Sequence, residues 1–512
     1  MQMSDPSSQV IGVVGVGTMG CGIAQLFAEA GHPVRLFDSF GGAAHKARQF
    51  VEDMIRRAVD KGRYSSEQGS AIVGRITVCG SLGELEGCAV VIEAIIEELA
   101  AKQELFAALE AIVADDAILA SNTSSLLVAE LAARCRHPQR VVGLHFFNPV
   151  PLMKVVEVIP AVKTSIPAVE LSRRLIERTG HRAVIAADQP GFLVNHAGRG
   201  LYTEGLRILE EQVASSVDVD ILLREAADFR LGPFELLDLT GLDVSGKVMT
   251  SIYEQFHQEP RFRPSTLVPP RLAAGLLGRK SGEGWYRYSK EGRPIEQAAS
   301  RPESLPKVTA GLKVWIDSEA HEHGALRELA ISAGAAIAGS PAHAQLIIVQ
   351  PWGWDASSYC IERGFDAMRC VAVDPLPGLQ RRRTLMLTAI TASEARDEAT
   401  ALLSQGGAKL TIINDSPGFV VQRVLATIIN IAANIAQRGI ASVADIDDAV
   451  RLGLGYPRGP LSWGDRIGGS RVMEILRNMQ AVTGDPRYRP SPWLARRVGL
   501  GVSLRTLEAV RA

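Results

Sequence analysis

A strand, a glycine turn and a helix follow one another at the start of this chain, and few folds accept that order. Val10-Ile11-Gly12-Val13-Val14 is an apolar run suited to a buried strand; Gly15-Val16-Gly17-Thr18-Met19-Gly20 follows at once and opens a helical stretch from Cys21 to Ala30 that stops at Gly31. In such a turn the first glycine permits a tight bend, the second lets a pyrophosphate approach the backbone, and the third lets helix pack closely on strand, with phosphate at the helix N-terminus. The next strand, Val34-Arg35-Leu36-Phe37-Asp38, ends in an acid at the distance from the glycine turn that a ribose contact requires. Asp38 is placed to accept hydrogen bonds from a ribose diol and would repel a 2′-phosphate, which favours NAD over NADP. Gly15, Gly17, Thr18, Met19, Gly20 and Asp38 are therefore candidate cofactor residues.

Further strand candidates at 75–79, 89–94, 117–121 and 141–147 alternate with helical stretches such as 101–113 and 126–133. The alternation predicts a doubly wound, Rossmann-like α/β sheet, whose ligands sit beyond the carboxyl ends of the strands, where Glu97, Asn122 and His145 fall. After Asp188-Gln189-Pro190-Gly191 the pattern turns to long helices, at 192–212, 217–227 and 242–257. The expected domains are an NAD-binding domain over 8–187, a helical domain over 188–288, a polar linker over 289–306, a degenerate Rossmann-like segment over 307–412 and a second helical domain over 413–512. A chain of 512 residues is too long for one core, which agrees with that division.

One imidazole and one carboxylate stand near the two ends of Leu144-His145-Phe146-Phe147-Asn148-Pro149-Val150-Pro151-Leu152-Met153-Lys154-Val155-Val156-Glu157. Asn148, Pro149 and Pro151 favour a turn between them, so a chain folding back can bring Glu157 beside His145. An imidazole oriented by a carboxylate is a base suited to removing a hydroxyl proton near neutral pH, and a neighbouring nicotinamide can take the hydride. The pairing points to alcohol dehydrogenation.

The remaining composition narrows the function classes. A formal charge of -1 gives no basic field for nucleic acid. The six cysteines contain no Cys-x-x-Cys pair, which suits a reducing cytoplasm. The short polar N-terminus does not resemble a signal peptide, and the most apolar helix candidate, 424–436, is too short to span a bilayer. His321-Glu322-His323 lacks a third partner at zinc spacing, so no metal site is expected. His196 is read as structural, and Ser124 and Ser125 can also cap a helix before Leu126.

Taken together, Gly15 to Gly20, Ser121-Asn122-Thr123-Ser124-Ser125-Leu126, Gly143 to Glu157, Pro190 to Asn195, Gly232-Pro233-Phe234-Glu235-Leu236-Leu237-Asp238 and Arg279 to Trp285 resemble the NAD-dependent L-3-hydroxyacyl-CoA dehydrogenases. The resemblance runs from about Ser8 to Tyr288, and the two-copy length resembles long bacterial members associated with 3-hydroxyadipyl-CoA and 3-hydroxybutyryl-CoA oxidation. It implies His145 as general base, Glu157 as its orienting carboxylate, Ser124 as a partner of the reacting oxygen and Asn195 as a partner of His145 and the thioester end. Glu97, Lys102, Asn122, Asn148 and Lys280 match positions that contact cofactor or coenzyme A, and Lys61 matches a basic coenzyme A contact. Met54 replaces a hydroxyl found in some relatives, and Phe229-Arg230-Leu231-Gly232-Pro233 stands where many carry Tyr-Pro-Met-Gly-Pro. The acyl chain of the substrate stays open.

Asp415-Ser416-Pro417-Gly418-Phe419-Val420-Val421-Gln422 repeats Asp188 to Asn195, and the offset that lays Asp415 on Asp188 also lays Gly459 to Asp465 on Gly232 to Asp238. This is an internal duplication. The runs 312–316, 346–349 and 371–374 suggest a worn sheet. The copy has no glycine fingerprint near Gly311 to Asp317 and no histidine within Val371 to Pro375; its Glu157 equivalent falls in Arg383 to Leu387, and Gln422 replaces Asn195. Short members of the resembled family are two-fold dimers through their helical domains, so the copy is read as an internal pseudo-dimer partner, with further homo-oligomerisation left open. Two rivals stand beside this reading: a non-catalytic, crystallin-like protein on the same scaffold, and a dehydrogenase of a non-CoA hydroxy acid.

Overall fold

The protein is described by a computed structural model covering residues 9–295 and 307–509. Its contacts divide it into two compact units. Unit 1 takes residues up to His196 together with Arg438–Leu454, and unit 2 takes Ala197–Gln437 and Gly455 onward.

Unit 1 is built on an eight-stranded sheet of β1 (Ile11–Val14), β2 (Val34–Phe37), β3 (Ile76–Val78), β4 (Val90–Glu93), β5 (Ile118–Ser121), β6 (Val141–His145), β7 (Val155–Pro160) and β8 (Arg182–Ile185), in the order β3-β2-β1-β4-β5-β6-β7-β8. The first six are mutually parallel; β7 runs antiparallel to β6, and β8 parallel to β7. Both faces are covered, so β1 and β4 to β6 are buried at every residue. Ile11, Val13, Ile23, Phe27, Ile92 and Leu144 belong to one core beneath the helices. Asp188 ties the sheet's far side together: its two carboxylate oxygens accept the Val128 and Ala129 amides at 2.9 and 2.7 Å, capping the helix Val128–Ala132 from a distant point of the chain.

The stretch read as one helix over 192–212 is two, Val194–Ala197 and Arg199–Glu210. Phe192 is left-handed (φ 47°), and the Leu193 and Val194 amides are spent on a side chain of β7, which delays the helix; Gly198, a poor helix former, lies at the break.

Unit 2 combines helices with a two-stranded hairpin, β9 (Arg287–Tyr288) and β10 (Pro294–Ile295), and a six-stranded sheet. Of the linker expected over 289–306, residues 296–306 lie outside the described residues. The sheet comprises β11 (Lys313–Ile316), β12 (Ala336–Ile337), β13 (Leu346–Val349), β14 (Cys370–Val373), β15 (Arg383–Leu387) and β16 (Leu410–Ile413), ordered β12-β11-β13-β14-β15-β16. It repeats the plan of the first sheet, with β14 and β15 antiparallel and β15 and β16 parallel. The repeat reaches individual bonds. Asp415, the counterpart of Asp188, caps the helix Ala356–Arg363 through the Ala356 and Ser357 amides, and Phe419 (φ 52°) copies the left-handed Phe192.

The helices of unit 2 meet around buried charge. Glu204 accepts from Arg423 Nε at 2.8 Å, Arg487 Nη1 at 3.0 Å and the Tyr488 hydroxyl at 3.0 Å, all fully buried. Burial would raise its carboxyl, but Arg423 and Arg487 hold it below the usual range. Beside this cluster, Gly200 lets the helix Arg199–Glu210 touch Val421–Gln437: a Cβ there would meet Ile428 Cγ1 at 3.0 Å and its Cα at 3.1 Å.

Register identifies which residues of the repeat stand where His145 and Glu157 stand in the first sheet. Glu157 pairs with Val184, and Thr384 pairs with Thr411, the residue that the repeat lays on Val184; Thr384 thus holds the place of Glu157. Its cross-strand neighbour Asp374, whose amide donates to the Thr384 carbonyl, holds the place of His145. Asp374 accepts from Gln422 Nε2 at 2.9 Å, yet burial pushes its carboxyl up to about 7. A carboxyl raised above its unfolded value of about 3.9 favours folding at acid pH, and that contribution is lost as pH rises from about 4 through 7. The melting temperature of Asp374→Asn, followed by circular dichroism, should therefore decline less between pH 5 and pH 8 than that of the parent; equal declines would show that Asp374 does not titrate there.

Candidate active site

The glycine turn has the geometry its sequence requires. Gly15 is left-handed (φ 90°), and a Cβ on it would strike the Ala94 carbonyl at 2.7 Å. On Gly20 it would fall 1.8 Å from the Gly15 oxygen, so helix Thr18–Glu29 sits against the strand turn with no room for a side chain. Gly17 differs: nothing lies within 4 Å, and Gly17 and Thr18 are exposed while Met19 is half-buried. The middle of the loop is therefore open where a diphosphate would meet backbone amides. Asp38, at the end of β2, accepts the Val16 amide through Oδ2 and the Phe40 amide through Oδ1, each at 2.9 Å. It orders the loop, and its carboxylate keeps lone pairs for a diol. This donor set fits a dinucleotide.

At the end of β4 the sequence reading missed Glu93. This fully buried carboxylate accepts from Lys102 Nζ at 2.5 Å, Ser121 Oγ at 2.7 Å and the Ile95 amide at 2.8 Å. The signal was present, as a lone acid closing an otherwise apolar buried strand. Lys102 is itself buried and also pairs with Glu97 at 3.3 Å. Glu97 Oε1 gathers the Thr123 hydroxyl at 2.7 Å, the Ser124 and Ser125 amides at 2.9 and 3.0 Å, and the Ser125 hydroxyl at 2.9 Å. Burial works against its charge, but Lys102 and these donors win and keep its carboxyl below the usual range. The 123–125 loop is thereby wrapped around one anion, with the Ser124 hydroxyl at 3.4 Å from it. Asn122 Oδ1 accepts the Phe146 amide at 2.9 Å, which fastens this loop to the strand end that carries His145.

His145 and Glu157 are cross-strand partners in β6 and β7. Neighbours in an antiparallel pair project on one face, so register alone brings the side chains together. His145 Nδ1 hydrogen-bonds Glu157 Oε2, while Oε1 accepts the Leu193 and Val194 amides at 2.8 Å each. Glu157 is fully buried and His145 is 5% exposed. An ionised Glu157 accepts only, so Nδ1 carries the proton and Nε2 is the ring atom left for chemistry. Phe147 and Phe192 flank the ring, at centroid distances of 4.5 and 5.8 Å. Asn195 follows those amides by one residue, in the helix Val194–Ala197.

The remaining sequence candidates are Asn148, Lys61 and Lys280. Asn148 sits in the turn between β6 and β7, ahead of Pro149. Lys61 is exposed at the C-terminus of the helix Ala43–Asp60. Lys280 belongs to unit 2, where its amino group pairs with Asp243. His196 is buried, and among the described residues no group of three or more His, Cys, Asp or Glu could hold a metal ion. No described helix is long and apolar enough to cross a membrane.

Comparison with known proteins identifies the relatives of this chain. The family model for the 3-hydroxyacyl-CoA dehydrogenase NAD-binding domain matches residues 10–189, and that for the C-terminal domain matches 191–288 and again 418–506, once in each copy. The chain is 35% identical over 489 residues to the 3-hydroxyadipyl-CoA dehydrogenase of Escherichia coli K12, covering 96% of this chain and 97% of that protein. A probable 3-hydroxybutyryl-CoA dehydrogenase of Bacillus subtilis is 38% identical over 279 residues, 54% of this chain and 97% of that protein. A crystal structure of 3-hydroxybutyryl-CoA dehydrogenase from Escherichia coli K12 superposes with a TM-score of 0.84 at 34% identity, covering 96% of this chain and 98% of that one. With a fingerprint open to a dinucleotide, a buried histidine–carboxylate pair and family matches in both copies, this chain belongs to the 3-hydroxyacyl-CoA dehydrogenase family.

Proposed function

We propose that this chain oxidises the 3-hydroxyl of a (3S)-3-hydroxyacyl-CoA to the 3-oxoacyl-CoA, with NAD as cofactor and His145 as general base. The observation that carries the reading is the buried Glu157 carboxylate, held on one oxygen by two amides and bonded on the other to His145 Nδ1. NAD supplies the acceptor for the hydride that leaves C3. His145 Nε2 takes the hydroxyl proton, and Glu157 stabilises the imidazolium that forms, an interaction that grows as charge develops. Ser124 donates to the reacting oxygen, and Asn195 orients His145 and the thioester end. Gly15, Gly17, Thr18, Met19, Gly20, Asp38, Asn122 and Lys280 hold the cofactor; Glu97 shapes the loop beside it, and Lys102, engaged by Glu93 and Glu97, acts through Glu97. Asn148 and Lys61 serve coenzyme A. The six free cysteines suit a reducing cytoplasm.

The second copy is a non-catalytic partner in cis. Asp374 and Thr384 in place of the catalytic pair, the close approach at Gly200 and Ile428, and the Glu204 cluster support a pseudo-dimer of helical domains within one chain. The acyl group is that of 3-hydroxyadipyl-CoA or of 3-hydroxybutyryl-CoA, because relatives of this full length carry both names.

Absorbance of NADH should rise with one or both of these thioesters and stay flat with free 3-hydroxybutyrate; turnover of the free acid alone would favour the non-CoA rival, and none at all the crystallin-like one. His145→Gln should lower kcat by about 100- to 10,000-fold, the usual worth of a general base, with NAD affinity within about twofold; undiminished turnover would refute the role. Asp38→Ala should raise the KM for NAD by about 10- to 100-fold, the worth of hydrogen bonds to a charged group, and narrow the preference over NADP. An unchanged KM would remove Asp38 from the ribose.

A further inference from the structure

By sequence, the helix Val443–Gly453 belongs to the second copy. It repeats Ser216–Ala227 at the same offset that relates Asp415 to Asp188, down to the N-cap, where Ser442 stands for Ser215 and each accepts an aspartate amide three residues on. Yet it is part of unit 1. Its attachment begins at β8, where Arg182 reaches Asp445 Oδ1 through Nη2 at 2.6 Å and Asp448 Oδ2 through Nε at 3.1 Å. Just before the helix, the Ile440 carbonyl accepts the Ala187 amide at 2.7 Å. At the other end Gly453 meets the frame of the catalytic pair: a Cβ there would lie 3.2 Å from Val155 Cγ1 and from both Val194 methyls. Val155 precedes Glu157 by two residues on β7, and the Val194 amide is one of the two that hold Glu157 Oε1. Gly453 is not left-handed, so its missing side chain answers a packing demand rather than a backbone one.

Resting on the His145–Glu157 reading above, we infer that this helix is a positioning device, and Gly453 a positioning residue, for the reaction of the first copy. The second copy has lost the chemistry but supplies the packing that fixes where Glu157, and through it His145, can sit. Val155 and Val194 are almost completely buried, so neither can yield to a new methyl by swinging into solvent. The displacement passes instead to the backbone of Val194 and to its bond with Glu157. A shift of a few tenths of an ångström costs little binding but misaligns a base that acts only in the transition state.

Gly453→Ala should lower kcat by about tenfold while leaving the KM values for NAD and for the thioester within about twofold, at a temperature where circular dichroism reports a folded protein. Adding Val194→Ala removes the methyls that the new Cβ meets, and should restore at least half of the lost kcat relative to Gly453→Ala. Should Gly453→Ala not fold, the Asp445→Asn, Asp448→Asn double variant loosens the part-exposed clamp on Arg182 without adding volume and should give the same split, a lower kcat at constant KM. Wild-type kcat in Gly453→Ala, no recovery on adding Val194→Ala, or wild-type kcat in the clamp variant would each overturn the inference. A parent protein that makes no NADH from any 3-hydroxyacyl-CoA defeats the proposed function itself, so the two failures are told apart before any variant is read.

Discussion

Everything around the candidate site is arranged to hold one carboxylate in the interior. Glu157 is fully buried, a position in which every polar atom needs a hydrogen-bond partner. Two backbone amides and one ring nitrogen share its two oxygens. Because the amides come from the bend at Phe192 to Val194, that bend cannot continue as regular helix, and because the ring comes from the facing strand, the register of β6 on β7 cannot slip. A slip of one residue would turn His145 to the opposite face of the sheet. The fold and the His145–Glu157 pair thus depend on the same bonds.

The duplicated half shows the converse. Where the buried carboxylate and imidazole were given up, the frame remained: the left-handed phenylalanine, the capping aspartate and the antiparallel pair of strands all recur at Phe419, Asp415, β14 and β15. Asp374 is what stands in the imidazole's place, and Gln422, in place of Asn195, donates to it. Backbone-directed features recur where the side-chain pair does not, because they close the sheet whichever side chains it carries. The helix Val443–Gly453, a repeat of Ser216–Ala227 by sequence, lies in unit 1 and is held there by Arg182.

Much of this was legible from local pattern. The strand–glycine–helix order, the acid closing β2 and the turn between His145 and Glu157 each lie within one short stretch of consecutive chain, the range over which propensity and periodicity operate. The strands β1 to β6 lie inside or close to their sequence ranges, and the α/β, all-α, α/β, all-α succession is present. What escaped was non-local. Glu93 looks like an ordinary strand end until packing buries it against Lys102. Asp188 caps a helix far upstream in the chain, and nothing in its own neighbourhood announces that. The placement of Val443–Gly453 in unit 1 follows from tertiary packing, which the internal repeat does not encode.

A carboxylate partner at Nδ1 fixes the tautomer of His145, with the proton on Nδ1 and Nε2 bare. Nitrogen-15 NMR of histidine-labelled protein, with the His145 signals assigned by their loss in His145→Gln, reads this directly. At a pH where the ring is neutral, Nδ1 should be protonated and pyrrole-type, and Nε2 unprotonated and pyridine-type. A neutral ring protonated on Nε2, or one averaging between the two forms, would contradict it.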